Sequence, residues 1–287
     1  MKWRNHRRSD NIDDLRGQKS SSRAGKTKLG GVGLLVLIVV GILSGQNPLQ
    51  ILETAINSVT STSYTASKGD YQASTANNET AQFISTMLAS NEDIWNTHLS
   101  QQTRRNYREP RLTLFTQQVN SACGQASSAS GPFYCPADQR IYIDLAFFNE
   151  LKRMGAAGEF AQAYVLAHEV GHHLQTLLGT SQQVTQLQQR TSQKKANKLS
   201  VLLELQADCY AGVWAHHAEV NNRWLEKGDL QAGLRAASAI GDDQLQRNAG
   251  QRVNPDAFTH GTSKQRQHWL AIGLKYGKVT RCNTFSQ

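Results

Sequence analysis

The residues best suited to chemistry lie in one short stretch, Ala167-His-Glu-Val-Gly-His-His173. On an α-helix, residues four apart share a face, so His168 and His172 would direct two imidazole nitrogens at one metal ion. Glu169 is offset around the helix, where its carboxylate could take a proton from a water molecule activated by that ion. The pattern is short and also arises by chance, so other parts of the chain must support it.

A second helical pattern, Leu199 to His216, contains two carboxylates with the same spacing. Glu204 and Asp208 are four residues apart and therefore share a helix face. Two histidines and one carboxylate form a catalytic zinc set, so Glu204 is the predicted third ligand. Asp208 is then placed to accept a hydrogen bond from a ligand imidazole. The alternative, a helix with two solvated acids, fits poorly because apolar residues surround both.

The elements that position these residues are predicted to be mostly helices. The histidine motif lies in an apolar pattern that stops near Gly179, and further helical patterns cover residues 83–102 and 229–247. A last helix begins at Thr262 or Ser263, either of which is a suitable N-cap. The remaining histidines are predicted to be non-ligands because the metal set is already complete; they include His173, His216 and His217.

Two stretches alternate like strands, Arg111–Phe115 and Arg140–Asp144, which predicts a small sheet and an α+β fold that is mainly α. In a zinc peptidase, an exposed strand edge over the metal can bind an extended peptide by main-chain hydrogen bonds. The segment from Gly131 to Phe148 is the candidate for that edge. An ordinary sheet strand is an equally good interpretation.

Positive charge is concentrated at the N-terminus. Residues 1–28 contain nine Lys or Arg and three Asp, which accounts for +6 of the net charge of +9. The rest of the chain has no basic helix interleaved with aromatic residues and no zinc-finger spacing, so a nucleic-acid partner is not expected. The polar composition predicts that residues 1–28 are a disordered tail.

An uncharged apolar segment, residues 29–45, follows this tail. Its 17 residues are near the lower limit for a membrane span. The long basic region before it and the lack of an Ala-x-Ala-like site after it favour a retained transmembrane anchor, residues 29–46, over a cleaved signal peptide. The positive-inside rule then places the tail in the cytoplasm and the body outside. Residues 47–80 are predicted to be a linker and residues 81–287 the folded domain.

Four cysteines in an exported body indicate disulfide bonds. The favoured pairing joins Cys123 to Cys135, beside the candidate edge, and Cys209 to Cys282, which would tie the Glu204 helix to the C-terminal tail. Two other pairings are possible. A cysteine zinc site is disfavoured because the chain has no Cys-x-x-Cys motif.

A histidine and an arginine near the last helix are further candidates. His260 precedes the helix and could donate a hydrogen bond to the oxyanion that forms when water attacks a carbonyl. Arg266 could bind a carboxylate, either of a substrate or of the protein itself. The alternative for His260 is a purely structural cap. Asp242 and Asp243 could be structural or could approach the site.

Together, these pieces resemble the bacterial neutral zinc metallopeptidase family of the YpfJ type. The resemblance implies a zincin-like fold and metallopeptidase activity. The Glu-x-x-Ala-Asp and Thr-His-x-x-Ser-x-x-Arg pieces are also similar to those of membrane-associated peptidases of the CAAX-processing type, which suggests that His260 and Arg266 line the site. The matching pieces are Cys123-Gly124, Gly131–Asp138, Tyr142–Asp144, His168–His173, Glu204–Asp208, Gly241–Asp243 and Phe258–Arg266.

The sequence therefore predicts a single-pass, membrane-anchored zinc peptidase of the cell envelope whose substrate is a peptide or protein. His168, His172 and Glu204 would hold one zinc ion, and Glu169 would act as the general base. Two alternatives stay open: a zinc hydrolase of cell-wall peptide or amide bonds, and a non-catalytic envelope scaffold stabilised by zinc. The intact Glu169 argues against the scaffold, since a structural zinc site needs no base.

Overall fold

The computed structural model describes residues 1–17 and 79–286. The predicted membrane anchor, residues 29–46, lies outside the described residues, as does the predicted linker up to residue 78. Within the two described ranges, no helix combines the length and the apolar composition that a bilayer crossing requires.

The described part is a mainly helical α+β structure with a small sheet, as predicted. Its helices are α1 (Glu79–Thr103), α2 (Phe147–Arg153), α3 (Glu159–Leu178), α4 (Thr180–Gln188), α5 (Gln193–Asn222), α6 (Asp229–Ala239), α7 (Asp242–Asn248) and α8 (Ser263–Tyr276). Its strands are β1 (Ile12–Asp14), β2 (Arg111–Phe115), β3 (Gln118–Ser121), β4 (Gly124–Ser127), β5 (Phe133–Cys135) and β6 (Arg140–Asp144).

Four of the strands form one sheet in the order β1-β2-β6-β5, while β3 and β4 form a separate hairpin. β2 pairs in parallel with both β1 and β6, and β5 pairs antiparallel with β6. The alternating stretch Arg140–Asp144 is therefore an interior strand. Within the segment Gly131–Phe148, the strand at the edge of the sheet is β5. This strand is only three residues long, which is too short for an alternating pattern to reveal it in the sequence.

The first 17 residues fold with the rest of the described chain, so the prediction of a disordered tail is wrong for them. Trp3 is only 2% exposed and packs edge to face on Phe83, with the ring centroids 5.3 Å apart. Two basic residues of this segment pair with acids of the domain: Arg4 lies 2.5 Å from Glu79, and Arg7 lies 2.9 Å from the buried carboxylate of Glu92. The positive charge of this segment is therefore complementary to acidic residues of the domain, and it does not indicate a solvated tail.

Two close helix contacts bring the candidate site residues together. Gly171 in α3 faces α5, where an added Cβ would lie 2.9 Å from the backbone of Ala207. Gly273 in α8 faces the other side of α5, where an added Cβ would lie 1.9 Å from the carbonyl oxygen of Cys209. At both positions a larger residue would push the helices apart, because the neighbouring atoms are backbone atoms that cannot move away.

Both predicted disulfide bonds are present, and together they pair all four cysteines. Cys123, in the turn between β3 and β4, is joined to Cys135 at the end of the edge strand β5. Cys209 in α5 is joined to Cys282, near the end of the described chain. The first bond braces the edge strand, and the second fixes the C-terminal residues against the helix that carries Glu204.

The helix predicted over residues 229–247 is divided into α6 and α7. The break falls at Gly241, which packs against the start of α8: an added Cβ there would lie 2.4 Å from the backbone nitrogen of Ser263. The backbone N–H of Asp242 donates to the carbonyl oxygen of Gly261. The chain therefore turns at this point in order to contact the loop before α8, whose predicted N-cap, Thr262, is confirmed.

Candidate metal centre

The three predicted ligand side chains converge in the structure. His168 and His172 come from α3, and Glu204 comes from α5. The Nε2 atoms of the two histidines are 3.1 Å apart. The two carboxylate oxygens of Glu204 lie 3.1 Å from Nε2 of His168 and 3.3 Å from Nε2 of His172. In the described ranges this is the cluster of His, Cys, Asp or Glu side chains that could hold a metal ion.

The spacing of these donor atoms fits zinc. With nitrogen and oxygen ligands at about 2.0–2.1 Å, a tetrahedral zinc ion separates its donor atoms by roughly 3.3 Å. The two Nε2 atoms are 3.1 Å apart, and they lie 3.1 and 3.3 Å from different oxygens of Glu204, which is close to this value. Two imidazole lone pairs and a carboxylate at such distances repel one another unless a cation or proton lies between them. The donor set of two histidines and one carboxylate is also that of catalytic zinc sites.

The electrostatics of the three groups favour an anionic ligand opposite two imidazoles. Burial alone would lower the pKa of His168, but Asp208 and Glu204 outweigh burial and raise it to about 10. Burial would raise the pKa of Glu204, but the two imidazoles hold it well below its usual range. Glu204 is therefore ionised at neutral pH, as a metal ligand must be.

Behind His168, a buried network fixes the orientation of the ring. The Nδ1 atom of His168 lies 2.8 Å from Oδ1 of Asp208, whose carboxylate is fully buried. Arg266 donates two hydrogen bonds of 2.9 Å to the same carboxylate, and the hydroxyl of Tyr164 donates a third of 2.5 Å. Burial would raise the pKa of Asp208, but Arg266 and His168 hold it below its usual range. An ionised Asp208 accepts the Nδ1 proton of His168, so a metal ion would bind at Nε2 and displace the proton that the raised pKa keeps there in the metal-free protein.

Of the two possibilities predicted for Arg266, the structure shows the second. Its guanidinium is 2% exposed and binds a carboxylate of the protein, that of Asp208. Arg266 also lines the cavity in front of the metal ligands. Its charge is already paired, so it supports the ligand network and does not act as an isolated cation for a substrate.

Glu169 faces the same cavity, beside the metal cluster. Its side chain is buried, and among the described residues none donates a hydrogen bond to its carboxylate. Burial raises the pKa of Glu169 above its usual range, although the charges of His172 and His168 oppose this rise. A carboxylate with a raised pKa and no competing donor within the described structure is suited to proton transfer.

The cavity itself has a volume of about 540 Å³. One wall is the edge strand β5 with the prolines on either side of it, and the floor is formed by α3 and α5. The described residues with apolar side chains that line it are Pro132, Phe133, Pro136, Phe147, Val165, Leu203, Ile240 and Leu245. The metal cluster thus lies at the base of an open, largely apolar cleft beside a sheet edge.

His260 lines this cavity and is held by Asp242. One oxygen of Asp242, Oδ2, accepts hydrogen bonds from the backbone N–H groups of Thr259, His260 and Gly261, at 2.8, 2.6 and 3.0 Å. The other, Oδ1, lies 3.1 Å from Nδ1 of His260. Burial would lower the pKa of His260, but its bond to Asp242 and the charge of Glu204 outweigh burial and raise it. The bond to Asp242 thus fixes the orientation of an imidazole that lines the cavity.

The three histidines predicted to be non-ligands lie away from the cluster. His173 is fully buried and binds the hydroxyl of Tyr134 and the carbonyl oxygen of Arg108; burial lowers its pKa to about 4. His216 and His217 contact carbonyl oxygens at the end of α8.

Four residues of the site were missed or left open by the sequence analysis. Asp242 was recognised only as an acid of undecided role, because its contacts lie 17 to 19 positions away in the chain. Tyr164 gives no signal in the sequence beyond the apolar pattern of its helix. Gln175 and Gln206, which lie behind His172, were overlooked, although Gln175 shares a helix face with the motif by its spacing of three residues.

The arrangement defines a class of protein, those with a two-histidine, one-carboxylate metal centre beside a candidate general base. Comparison with known families agrees. The family described as "Putative neutral zinc metallopeptidase" matches residues 1–285, and the chain belongs to that family. The match begins at residue 1 and so includes β1 as well as the metal cluster.

Relatives of this chain are found in more than one bacterial species. It is 42% identical over 291 residues to "Uncharacterized protein YpfJ" of Escherichia coli (strain K12), which covers 100% of this chain and 99% of that protein. It is 44% identical over 191 residues to "Uncharacterized protein Rv2575" of Mycobacterium tuberculosis (strain H37Rv), which covers 63% of this chain and 64% of the relative. No solved structure matches the chain.

Proposed function

We propose that the protein is a zinc-dependent peptidase of the cell envelope with a zincin-like fold. The observation that supports this most directly is the convergence of His168, His172 and Glu204 in a cavity that also contains Glu169. One zinc ion would use all three donor groups. Zinc bound there supplies a Lewis acid that activates a water molecule and polarises the substrate carbonyl.

Glu169 is the general base of the proposed reaction. Its carboxylate accepts a proton from the attacking water and later gives that proton to the leaving amine. The raised pKa of Glu169 suits both steps, because a more basic carboxylate takes the proton more readily and holds it until the amine nitrogen accepts it as the C–N bond breaks. Its burial keeps bulk water away from this proton transfer.

His260 is proposed to stabilise the oxyanion that forms at the substrate carbonyl. In its protonated form, His260 donates its Nδ1–H to Asp242 and would offer its Nε2–H to a substrate in the cavity that it lines. A preorganised donor of this kind lowers the barrier because its cost of orientation is met during folding. Asp242 acts through His260 and is a positioning residue.

The edge strand β5 suggests the form of the substrate. A peptide in extended conformation could pair with β5 by main-chain hydrogen bonds and lie across the metal cluster. Phe133 and Tyr134 of this strand line the cavity, and the bond between Cys123 and Cys135 holds the strand in place. A peptide or protein substrate fits such an edge better than a small molecule does.

The two disulfide bonds support a location outside the cytoplasm, where disulfides form and persist. The proposal therefore places the metal centre in the cell envelope. Attachment to the cytoplasmic membrane through residues 29–46 stays a prediction from the sequence.

Metal removal tests the proposed function. The purified chain is treated with a chelator, and hydrolysis of casein-like substrates is measured before and after zinc is returned. We expect activity to disappear with zinc and to return with about one equivalent per chain. Zinc-dependent release of fragments from purified peptidoglycan, with no hydrolysis of casein, would change the substrate to cell-wall peptide or amide bonds. A protein that binds zinc and cleaves neither would be the scaffold, and the peptidase proposal would fail.

Replacing His260 by Gln should slow the reaction without removing the metal. Loss of one oxyanion donor typically lowers kcat by about 10²–10³-fold. Because the pKa of His260 is raised, its imidazolium persists above the ordinary value of 6.5, and the activity that depends on it is lost as the pH rises through the raised pKa. The His260→Gln variant should lack this alkaline loss. Zinc content and the pH profile of kcat are the measurements, and an unchanged kcat would remove His260 from the reaction.

A further inference from the structure

A chain of buried amide groups leads from the second candidate histidine ligand to a disulfide bond. Nδ1 of His172 lies 2.9 Å from Oε1 of Gln175, and the amide nitrogen of Gln175 lies 2.7 Å from the carbonyl oxygen of Leu203 and 3.2 Å from Oε1 of Gln206. The amide nitrogen of Gln206 in turn lies 3.0 Å from the carbonyl oxygen of Cys282. Gln175 is fully buried, and Gln206 is 6% exposed.

The backbone carbonyl groups of Leu203 and Cys282 determine which group donates and which accepts in each of these hydrogen bonds. A backbone carbonyl only accepts, so the groups of Gln175 and Gln206 that face Leu203 and Cys282 must be amide N–H groups. The oxygen of Gln175 therefore faces His172, and it can only accept. His172 must carry its proton on Nδ1, which leaves the lone pair of Nε2 directed at Glu204 and the other histidine.

We propose that Gln175 and Gln206 are positioning residues that select the metal-binding tautomer of His172 and link it to the disulfide between Cys209 and Cys282. The inference rests on the proposed zinc site. The link also reaches the third ligand, because the carbonyl accepting from Gln175 belongs to Leu203, the residue before Glu204. Each of the two ligand histidines thus has its own hydrogen-bond acceptor at Nδ1. For His168 it is the charged carboxylate of Asp208, and for His172 it is the neutral amide of Gln175.

The test compares zinc affinity in the full-length protein by competition with a chromophoric chelator. Gln175→Met keeps the size of the side chain but removes the acceptor, and we expect zinc to bind about 10–100-fold more weakly. Gln175→Glu keeps an acceptor for His172 but loses the donors to Leu203 and Gln206, so it should bind zinc more tightly than Gln175→Met and more weakly than the wild type. Gln206→Met should weaken zinc binding less than Gln175→Met does.

A matched control is Gln188→Met. Gln188 donates to Ala196 and Ser200 and has no contact with the metal cluster, so its loss should leave zinc affinity unchanged. The thermal unfolding temperature of each metal-free variant is measured as well. A purely structural role would lower that temperature in Gln175→Met and Gln175→Glu alike and would not separate their zinc affinities.

The outcomes separate this inference from the proposed function. Wild-type affinity in Gln175→Met, or equal losses in Gln175→Met and Gln175→Glu, would overturn the inference while leaving the zinc site intact. A wild-type protein that fails to bind zinc would overturn the proposed function instead. If Gln175→Met does not fold, Gln206→Met decides the question by comparison with Gln188→Met: equal zinc affinities in these two variants would overturn the inference.

Discussion

Replacement of Glu169 by Gln is expected to leave zinc bound and to reduce peptide hydrolysis by about 10²–10⁴-fold, the usual contribution of a general base. The amide has nearly the shape of the carboxylate but cannot take a proton from water. Glu169 is not among the three converging donors, so its loss should not change the metal content. The measurements are kcat on a peptide substrate and zinc per chain by elemental analysis.

Glu150→Gln is the control for this experiment, because Glu150 is an exposed residue of α2 with no contact with the site. Its activity should equal that of the wild type. If Glu169→Gln kept full turnover with zinc bound, another group would have to serve as the base. If zinc were lost as well, Glu169 would have to be counted among the ligands.

Glu204→Ala should lose the metal itself. The carboxylate of Glu204 lies within 3.3 Å of Nε2 of both histidines and provides the only anionic donor of the cluster in the described structure. Without it, two neutral imidazoles remain, which is too few ligands for a stable catalytic zinc site. We expect zinc to fall to near zero after dialysis and hydrolysis to disappear with it.

The matched control is Glu219→Ala, on the same helix as Glu204 and about four turns further along. The carboxylate of Glu219 accepts a hydrogen bond from the backbone of Leu225, far from the metal cluster in the chain. This variant should keep its zinc and its activity. Full zinc occupancy in Glu204→Ala would show that a different group completes the coordination.

The metal cluster could be predicted because the spacing of its residues within each helix is visible in a short stretch of sequence. His168 and His172, like Glu204 and Asp208, are placed on shared helix faces by a spacing of four residues, and the helix period alone determines this. The meeting of the two helices was a further assumption, and Gly171 against Ala207 provides its physical basis.

Features that depend on distant contacts could not be predicted in the same way. Asp242 binds a loop 17 to 19 residues away, and nothing in its neighbouring sequence indicates that loop. Gln175 and Gln206 sit in helical patterns where a polar residue ordinarily marks the solvent side. The edge strand β5 is too short for an alternating pattern to be visible. The alternating pattern within the segment Gly131–Phe148 is instead that of the longer strand β6, which lies inside the sheet.

The N-terminal segment was misjudged for a related reason. Its basic, polar composition is typical of a solvated tail, and only Met1 and Trp3 are buried apolar residues within it. What holds it is complementary charge and strand pairing: Ile12, Asp13 and Asp14 align with Leu112, Thr113 and Leu114 of β2. Composition does not reveal a partner that lies about a hundred residues later.

The pairing of β1 with β2 also limits how the chain can be arranged around a lipid bilayer. Two hydrogen-bonded strands occupy the same aqueous space, so residues 1–17 and the metal centre lie on one face of any membrane. A cytoplasmic N-terminus and an exported metal centre would therefore require β1 to leave the sheet.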